Sequence, residues 1–250
     1  MDKTSIVQAE NITVRYGEHT VLNSVSVEFM SSDITVILGT SGCGKTTLLK
    51  TLIGLLKPDS GEVRLFGQKI VDQDDPSSVE ILKKIGVLFQ NGALLGSLNI
   101  NENVALPLRM HTKLSYAVIN EKVKTKLLEV GLPDAGKLYP SELSGGMRKR
   151  AALARALALE PKILFCDEPS AGLDPVTSAG LDELLLKLRE SLGISIIAVT
   201  NELLSIEKIA DSVLFLHEGS VLFSGTLDAA RKLDSGPVND FFLRKSGKKV

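Results

Sequence analysis

The stretch GTSGCGKT, residues 39–46, limits the possible folds of this chain more than any other feature. It has the pattern G-x-x-x-x-G-K-[ST], follows an apolar run at residues 34–38, and precedes a segment of good helix formers. Glycines here let the backbone curl until successive N–H groups point at one anion, and the following helix adds free donors and a favourable dipole. The pattern predicts a triphosphate loop in which Lys45 would reach the β- and γ-phosphates and Thr46 would ligate Mg²⁺.

A second motif, ILFCDE at residues 163–168, ends in two carboxylates. Four apolar residues predict a buried strand, and ligands of open α/β sheets bind at the carboxyl edge of such strands. Asp167 is placed to hold Mg²⁺, and Glu168 is placed to orient or deprotonate an attacking water. An acidic pair after a strand is also typical of a helix start, but the phosphate loop upstream favours the catalytic interpretation. Together the two motifs indicate a nucleoside-triphosphate hydrolase.

The remaining pattern indicates an α/β fold, because short apolar runs alternate with helical segments as in a parallel sheet with crossovers. The expected strands are residues 5–15, 21–29, 35–38, 62–66, 85–89, 162–166, 194–199 and 213–216. The expected helices are residues 46–56, 175–192 and 202–210, together with a largely helical region over 101–158 that breaks near Pro107, Leu132-Pro133 and Tyr139-Pro140.

We therefore expect a P-loop NTPase (RecA-like) core with a mostly parallel sheet and an antiparallel β subdomain, formed by residues 5–90 and 160–225. A helical subdomain, residues 91–159, is inserted into this core. The tail, residues 226–250, has one amphipathic piece at 238–243 and a basic end, and we expect it to be a solvated terminus.

Composition excludes several classes of protein. The 250 residues are 44% hydrophobic and 24% charged, as in one globular domain with lobes. A net charge of −1 argues against a nucleic-acid binder, so we expect no nucleic-acid partner. The chain has no apolar run long enough to span a bilayer, and its first residues do not resemble a signal peptide. Cys43 and Cys166 have neither metal-binding nor redox spacing and are expected to be reduced cytosolic thiols.

An unusual helix start lies in ELSGGMRKRAALARALALEP, residues 142–161. Ser144 can cap the helix, while Gly145 and Gly146 leave its first amides uncovered. A capped glycine loop is one interpretation, and an anion site is the other. Because residues 39–46 already supply phosphate donors, we hypothesise that this corner closes over the γ-phosphate bound by a second copy, giving two sites at a two-fold interface.

The same helix carries the basic residues Arg148, Lys149, Arg150 and Arg155. We expect a solvated helix face with charge pairs. The alternative is a role in holding nucleotide or partner at the interface.

At this point the sequence resembles the ATP-binding cassette (ABC) ATPases. LSGGM at residues 143–147 resembles their LSGGQ signature, SAGLD at 170–174 resembles their D-loop, and Tyr16 and Gln90 match the adenine-stacking aromatic and the Q-loop glutamine. The resemblance implies ATP contacts by Tyr16, Gly39, Thr40, Ser41, Gly42, Cys43, Gly44, Lys45, Thr46, Thr47, Ser144, Gly145, Gly146 and Asp174. It implies Mg²⁺ contacts by Thr46, Gln90 and Asp167, and catalytic roles for Lys45, Gln90, Glu168 and Asn201.

One position departs from the family pattern. Asn201 stands where a histidine usually contacts the γ-phosphate, and neither His19, His111 nor His217 can replace it. An asparagine amide still donates a hydrogen bond, but it is shorter and never cationic. Natural tolerance, an engineered slowing of hydrolysis and a degenerate half of a heterodimer all fit. We favour a working but slow site, because Glu168 is intact.

Within the family, three stretches resemble the ATPase of Mla-type lipid transporters, which work with MCE-domain proteins. They are LFQNGALL at 88–95, NVALPLR at 103–109 and residues 144–161, and the tail PVNDFF at 237–242 fits the same group. The resemblance implies a homodimer beneath an MlaE-like permease on the cytoplasmic face of the inner membrane. A coupling helix would insert near residues 91–98, and the cargo would be phospholipid or a similar hydrophobic molecule.

An MCE-domain protein would belong to the same complex, and some members also bind a STAS-domain protein on the helical lobe. Two alternatives stay open: the ATPase of another importer, and an ABC ATPase of division or signalling that transports nothing. A single cassette without sustained heptads does not fit the translation or repair types.

Overall fold

A computed structural model of the chain describes residues 4–70 and 75–245. Its strands are β1 (Ser5–Tyr16), β2 (His19–Met30), β3 (Ile34–Gly39), β4 (Ser60–Leu65), β5 (Gln68–Lys69), β6 (Ile85–Leu88), β7 (Ile163–Asp167), β8 (Ser195–Val199), β9 (Ser212–His217) and β10 (Ser220–Thr226). Its helices are α1 (Lys45–Leu52), α2 (Pro76–Leu82), α3 (Ile100–His111), α4 (Tyr116–Glu129), α5 (Gly145–Ala156), α6 (Pro175–Leu192), α7 (Leu203–Ile209), α8 (Leu227–Arg231) and α9 (Gly236–Lys245), with 3₁₀ turns at Ala135–Lys137 and Pro140–Glu142.

The central sheet has six strands in the order β10-β9-β3-β8-β7-β6. All neighbours pair in parallel except β10, which is antiparallel to β9. Every residue of β3, β7 and β8 is buried, because cores lie on both faces of the sheet, and this explains why these strands are continuous apolar runs. Their carboxyl ends meet at one edge, where the two motifs of the sequence come together.

A second, antiparallel sheet has the order β2-β1-β4-β5. The apolar side chains of its inner face pack with α1 against one face of the central sheet. Helices α3 to α6 pack against the opposite face. The expected mostly parallel core, antiparallel β region and helical lobe are therefore all present.

Helix α3 contradicts the break expected near Pro107, because it continues through this residue to His111. The helix starts with a capping box in which Asn99 and Glu102 satisfy each other's backbone N–H groups. Its apolar face is buried, so packing offsets the one hydrogen bond that proline removes. The expected breaks at 132–133 and 139–140 are confirmed, since α4 ends at Glu129 and a 3₁₀ turn starts at Pro140.

Helix α1 is shorter than expected and ends at Leu52 instead of residue 56. Gly54 adopts φ 73°, and the N–H groups of Gly54 and Leu55 bond back to the carbonyls of Thr51 and Lys50. The left-handed glycine thus closes the helix four residues before Pro58, which the sequence suggested as the terminator.

The tail was expected to be solvated, and this is wrong for α9. Val238 is buried, and the ring of Phe241 meets that of Phe215 edge-on with centroids 5.7 Å apart. Packing of this amphipathic helix on the core outweighs the polarity of the tail. The basic end of the chain, residues 246–250, lies outside the described residues. No helix in the described part of the chain is both long and apolar enough to span a bilayer.

Both cysteines are free thiols, as expected, and both are buried. They lie in different cores, Cys43 under the antiparallel sheet and Cys166 on the side of the helical lobe. Burial raises the pKa of the Cys166 thiol to about 12, so this group stays protonated at neutral pH.

Candidate nucleotide site

The phosphate loop connects β3 to α1 and is built around its lysine. Gly39, Gly42 and Gly44 have φ values of 146°, 79° and 100°, which only glycine adopts readily. A Cβ on Gly39 would lie 2.2 Å from the Leu216 carbonyl oxygen, so no larger residue fits there. The buried Lys45 ammonium donates to the carbonyls of Gly39 and Thr40 at 3.0 Å each. The loop therefore surrounds a fixed positive charge, next to the uncapped N-terminus of α1.

Two of the three residues expected to contact Mg²⁺, Thr46 and Asp167, lie next to each other at the sheet edge. The Thr46 hydroxyl donates to Oδ1 of Asp167 at 3.5 Å, although 121 residues separate them. Burial raises the pKa of Asp167, while nearby Lys50 and the Thr46 hydrogen bond lower it. No group of three or more His, Cys, Asp or Glu side chains able to hold a metal occurs among the described residues. A hydroxyl and one carboxylate suit a cation that keeps water and phosphate oxygens as its other ligands.

Glu168 follows β7 with φ 46°, a left-handed conformation that costs a non-glycine residue about 1 kcal/mol or more. Hydrogen bonds hold both of its peptide groups. Its N–H donates to the Val199 carbonyl at 2.9 Å, and its C=O accepts from Nζ of Lys149 at 2.9 Å and from the Ala171 N–H at 3.2 Å. Burial raises the pKa of its carboxyl group, Lys45 lowers it, and Asp167 raises it further. Such a carboxylate is suited to accept a proton.

Asn201 lies at the same edge, two residues after β8 ends at Val199. Val199 pairs with Asp167 in the parallel ladder, so Asn201 follows the strand directly beside the acidic pair. Its side-chain oxygen is buried and has no hydrogen-bond partner among the described residues. This oxygen can accept a hydrogen bond from a water or a ligand donor, whereas a phosphate oxygen would need the NH₂ group of the amide.

The glycines at the start of α5 also have a packing role within the chain. Ser144 caps the helix by accepting from the Met147 N–H at 3.2 Å, as expected. A Cβ on Gly146 would lie 2.4 Å from Cγ2 of Thr177, whereas one on Gly145 would meet only Leu173 at 3.4 Å. Gly146 is thus required by the close approach of α5 to the start of α6. This role was missed because nothing local in the sequence indicates which helix packs there.

Three further predicted ligands, Tyr16, Gln90 and Asp174, lie on separate segments. Tyr16 ends β1 and is largely exposed at the turn before His19. Asp174 caps α6, where its carboxylate accepts from the N–H groups of Val176 and Thr177 and from the Thr177 hydroxyl. Gln90 follows β6, and its carbonyl accepts from Lys149 Nζ at 2.5 Å. The structure thus gathers Lys45, Thr46, Asp167, Glu168 and Asn201 at the sheet edge and brings Gly145 and Gly146 beside the segment that holds Asp174.

The solvated basic face expected on α5 is wrong for three of its four members. Lys149 is only 6% exposed, and it and the two following arginines donate to backbone carbonyls. Arg150 bonds to Val130 and Gly180, and Arg155 bonds to Gly92 and Ala93. Only Arg148 of the four is exposed. Long apolar stems let these cations cross the packed lobe and reach carbonyls on other segments.

The glycine-rich loop lies where the parallel strand β3 leads into α1, and the carboxylates Asp167 and Glu168 lie at the end of β7, two strands away in the sheet. This combination places the molecule in the class of P-loop nucleoside triphosphatases. Within that class, the family model described as ABC transporter matches residues 22–171. The chain therefore belongs to the ABC transporter family and is one of its ATPases. The resemblance noted from the signature and the Q-loop is confirmed.

Individual relatives agree with this assignment. The probable ribonucleotide transport ATP-binding protein mkl of Mycobacterium leprae (strain TN) is 38% identical over 94% of this chain and 68% of its own length. The intermembrane phospholipid transport system ATP-binding protein MlaF of Escherichia coli (strain K12) is 37% identical over 95% of this chain and 88% of its own length. A solved dimeric ATP-binding cassette, in a post-hydrolysis state with ADP and Pi, has a TM-score of 0.81 and 32% identity over 89% of this chain and 99% of that one.

The contact between α5 and α6 gives a first prediction. Gly146→Ala should destabilise the chain by about 1 kcal/mol, because the new methyl group overlaps Cγ2 of Thr177, which its bond to Asp174 holds in place. Gly145→Ala is the matched control and should be neutral. Adding Thr177→Ser, which removes Cγ2 and keeps the hydroxyl, should restore stability. Urea unfolding of these three variants and of the parent chain measures this, and equal effects of the two alanine substitutions would contradict the packing argument.

Proposed function

We propose that this chain is the ATP-hydrolysing subunit of an Mla-type lipid transporter and works as a homodimer. The observation that carries the proposal is the contact of Thr46 with Asp167, which joins the phosphate loop to the acidic strand in a chain that aligns with most of an MlaF protein. Two nucleotides would lie between the subunits, each held by the loop of one copy and the Ser144 corner of the other.

ATP is bound through its phosphates in this proposal. The loop amides and Lys45 hold the β- and γ-phosphates, and exposed Tyr16 stacks on adenine. Thr46 and Asp167 would hold Mg²⁺, and Gln90 would be a further contact. The ion would neutralise part of the negative charge on the phosphates. The hard oxygen donors of Thr46 and Asp167 fit this ion.

Hydrolysis requires a base and a group that contacts the γ-phosphate. Glu168 orients and deprotonates the attacking water, because its carboxyl group is half-buried, has a raised pKa and sits on a backbone fixed from two sides. Asn201 donates an amide hydrogen bond to the γ-phosphate, more weakly than an imidazolium would.

Dimer formation is supported by the surfaces around the site. Ser144 and Gly145 are exposed at the start of a twelve-residue helix, whose dipole favours an anion. Beside Asp174, Val176 is 81% exposed, and close to Asn201, Leu204 is 79% exposed. Large apolar side chains this open, next to nucleotide ligands, favour a second protein surface that covers them. The γ-phosphate bridges the copies, so its hydrolysis and release reopen the dimer.

The permease contacts a groove near the Q-loop. This groove, of about 390 Å³, lies where the core meets the helical lobe, and apolar side chains such as Leu82, Phe89 and Pro107 line it. An amphipathic coupling helix docks in such a groove by its apolar face. We expected this contact near residues 91–98, whereas the groove is lined by the preceding Phe89 and by none of those residues. A permease helix bound there would move when the dimer closes.

Cargo is the open part of the proposal, because the names of the relatives differ. MlaF is described as a phospholipid transport protein and mkl as a probable ribonucleotide transport protein. We favour phospholipid, or a similar hydrophobic molecule, passed to an MCE-domain protein across the inner membrane, with this subunit on its cytoplasmic face. Ribonucleotide import is the second candidate.

The cargo experiment uses the complex purified with the permease and MCE-domain protein and reconstituted in liposomes. We expect ATP-dependent transfer of a fluorescent phospholipid, no uptake of labelled ribonucleotides, and loss of both transfer and assembly when Leu82→Asp puts a charge into the groove. Leu222→Asp on β10, at an exposed apolar residue outside the groove, is the control. Ribonucleotide uptake without lipid transfer would favour the second candidate, and co-purification with nucleic acid in place of a permease would contradict transport altogether.

Glu168→Gln tests the catalytic base. We expect it to preserve ATP affinity, to lower the turnover rate by about 10²–10⁴-fold, and to accumulate ATP-bound dimer, because the amide keeps the shape but cannot accept the proton. ATPase rates and size-exclusion chromatography with ATP and Mg²⁺ measure this, with exposed Glu218→Gln as control. A parental rate in Glu168→Gln would remove Glu168 from the reaction.

Asn201→His tests the departure from the family pattern. In the assembled complex the turnover rate should rise about tenfold, because a charge-assisted hydrogen bond to the γ-phosphate is roughly twice as strong as that of a neutral amide. Asn201→Gln, which changes length without adding charge, should not show this gain. An unchanged rate in Asn201→His would contradict the idea that asparagine slows the site.

A further inference from the structure

Lys149 is a buried cation that the mechanism above does not use. It lies on α5, five residues after the helix cap Ser144, and its ammonium group donates to two carbonyls, Gln90 at 2.5 Å and Glu168 at 2.9 Å. Burial lowers its pKa, whereas Cys166, Glu168 and Asp167 raise it. Burying a lysine in this way contributes little to stability, so stability alone does not account for its position between two predicted functional segments.

The contact with Glu168 bears on the geometry of the proposed base. The left-handed backbone of Glu168 is held from the sheet through Val199 and from the D-loop through Ala171. Lys149 is the contact from the helical lobe, and it reaches the carbonyl of the residue itself. Removing the ammonium group would leave this carbonyl with one donor and would let the peptide plane, and with it the carboxylate, rotate.

The contact with Gln90 connects the same ammonium group to the Q-loop. The helical lobe holds this loop through further contacts: Arg155 donates to Gly92 and Ala93, and Asn103 binds both backbone groups of Leu95. These bonds attach the loop to α3 and α5. Lys149 connects the loop to Glu168 through a single ammonium group, 2.5 Å from one carbonyl and 2.9 Å from the other.

We propose that Lys149 is a positioning residue that holds the Glu168 backbone in its reactive geometry. Through Lys149, this backbone is linked to the Q-loop at Gln90 and to helix α5, which begins at the signature sequence. The proposal rests on the function proposed above for Glu168. Its chemical basis is the three N–H donors of an ammonium group, two of which are used on carbonyls from separate segments. The link makes the reactivity of Glu168 depend on the seating of the helical lobe, the part of the chain that borders the permease groove.

The test compares variants of Lys149 in the dimer with ATP and Mg²⁺. Lys149→Met keeps the apolar stem and removes the donors, and we expect kcat to fall about 10- to 100-fold while KM and ATP affinity stay within about twofold. Lys149→Arg can reach both carbonyls and should restore most of kcat, and Lys149→Gln should lie between them. Lys126→Met is the matched control, because Lys126 is also buried but bonds to Glu129 on α4.

Combining each change with Glu168→Gln separates positioning from packing. If Lys149 acts through Glu168, Lys149→Met should not lower the small residual rate of Glu168→Gln any further. Multiplied losses, a parental kcat in Lys149→Met, or a loss that Lys149→Arg fails to restore would overturn the inference while leaving the role of Glu168 intact. A parental rate in Glu168→Gln alone would instead overturn the proposed function. Should Lys149→Met fail to fold, the order of kcat between the Arg and Gln variants, at constant KM, decides.

Discussion

The parallel pairing of β3 with β8 and of β8 with β7 is the constraint on which the site depends. It sets Ile37 beside Val199 and Val199 beside Asp167, so the segments that follow these strands leave the sheet at one edge. A one-residue shift of either pair would turn the side chains of a strand to the opposite core. Buried apolar side chains fill the cores on both faces, so such a shift is strongly disfavoured, and the pairing brings the phosphate loop, the acidic pair and Asn201 to one edge.

Close backbone approaches refine this arrangement. Gly39 lets the phosphate loop turn against the end of β9, and Gly146 lets the signature helix contact α6 at Thr177. A methyl group on Gly39 would collide with the Leu216 carbonyl oxygen, and one on Gly146 would collide with Cγ2 of Thr177. Packing or hydrogen bonding holds both of these atoms in place. The glycines that suggest ligand binding are therefore also needed for packing. One glycine can serve both purposes, because an accessible backbone N–H group and a closely packed neighbour both require that there is no Cβ.

The helical lobe is joined to the core by cations that bond to carbonyls. Lys149 bonds to the carbonyls of Gln90 and Glu168, and Arg150 bonds to the carbonyl of Gly180 in α6. Arg155 holds the Q-loop at Gly92. Directional bonds of this kind hold one relative position of lobe and core. These bonds add a fixed orientation to the apolar packing that the lobe shares with the sheet.

The sequence by itself determined the features that depend on local physics. The glycine loop, the buried strands, the Ser144 cap and helix α6 over Pro175–Leu192 follow from periodicity, turn chemistry and capping within a few residues, and the structure has them all. Tertiary structure alone decided the passage of α3 through Pro107, the packing of α9 on Phe215, and the partners of Lys149, which lie 59 and 19 residues away in the chain. The physical reason is that burial and long-range hydrogen bonds outweigh local preference, and their strength depends on neighbours that only the folded chain brings together.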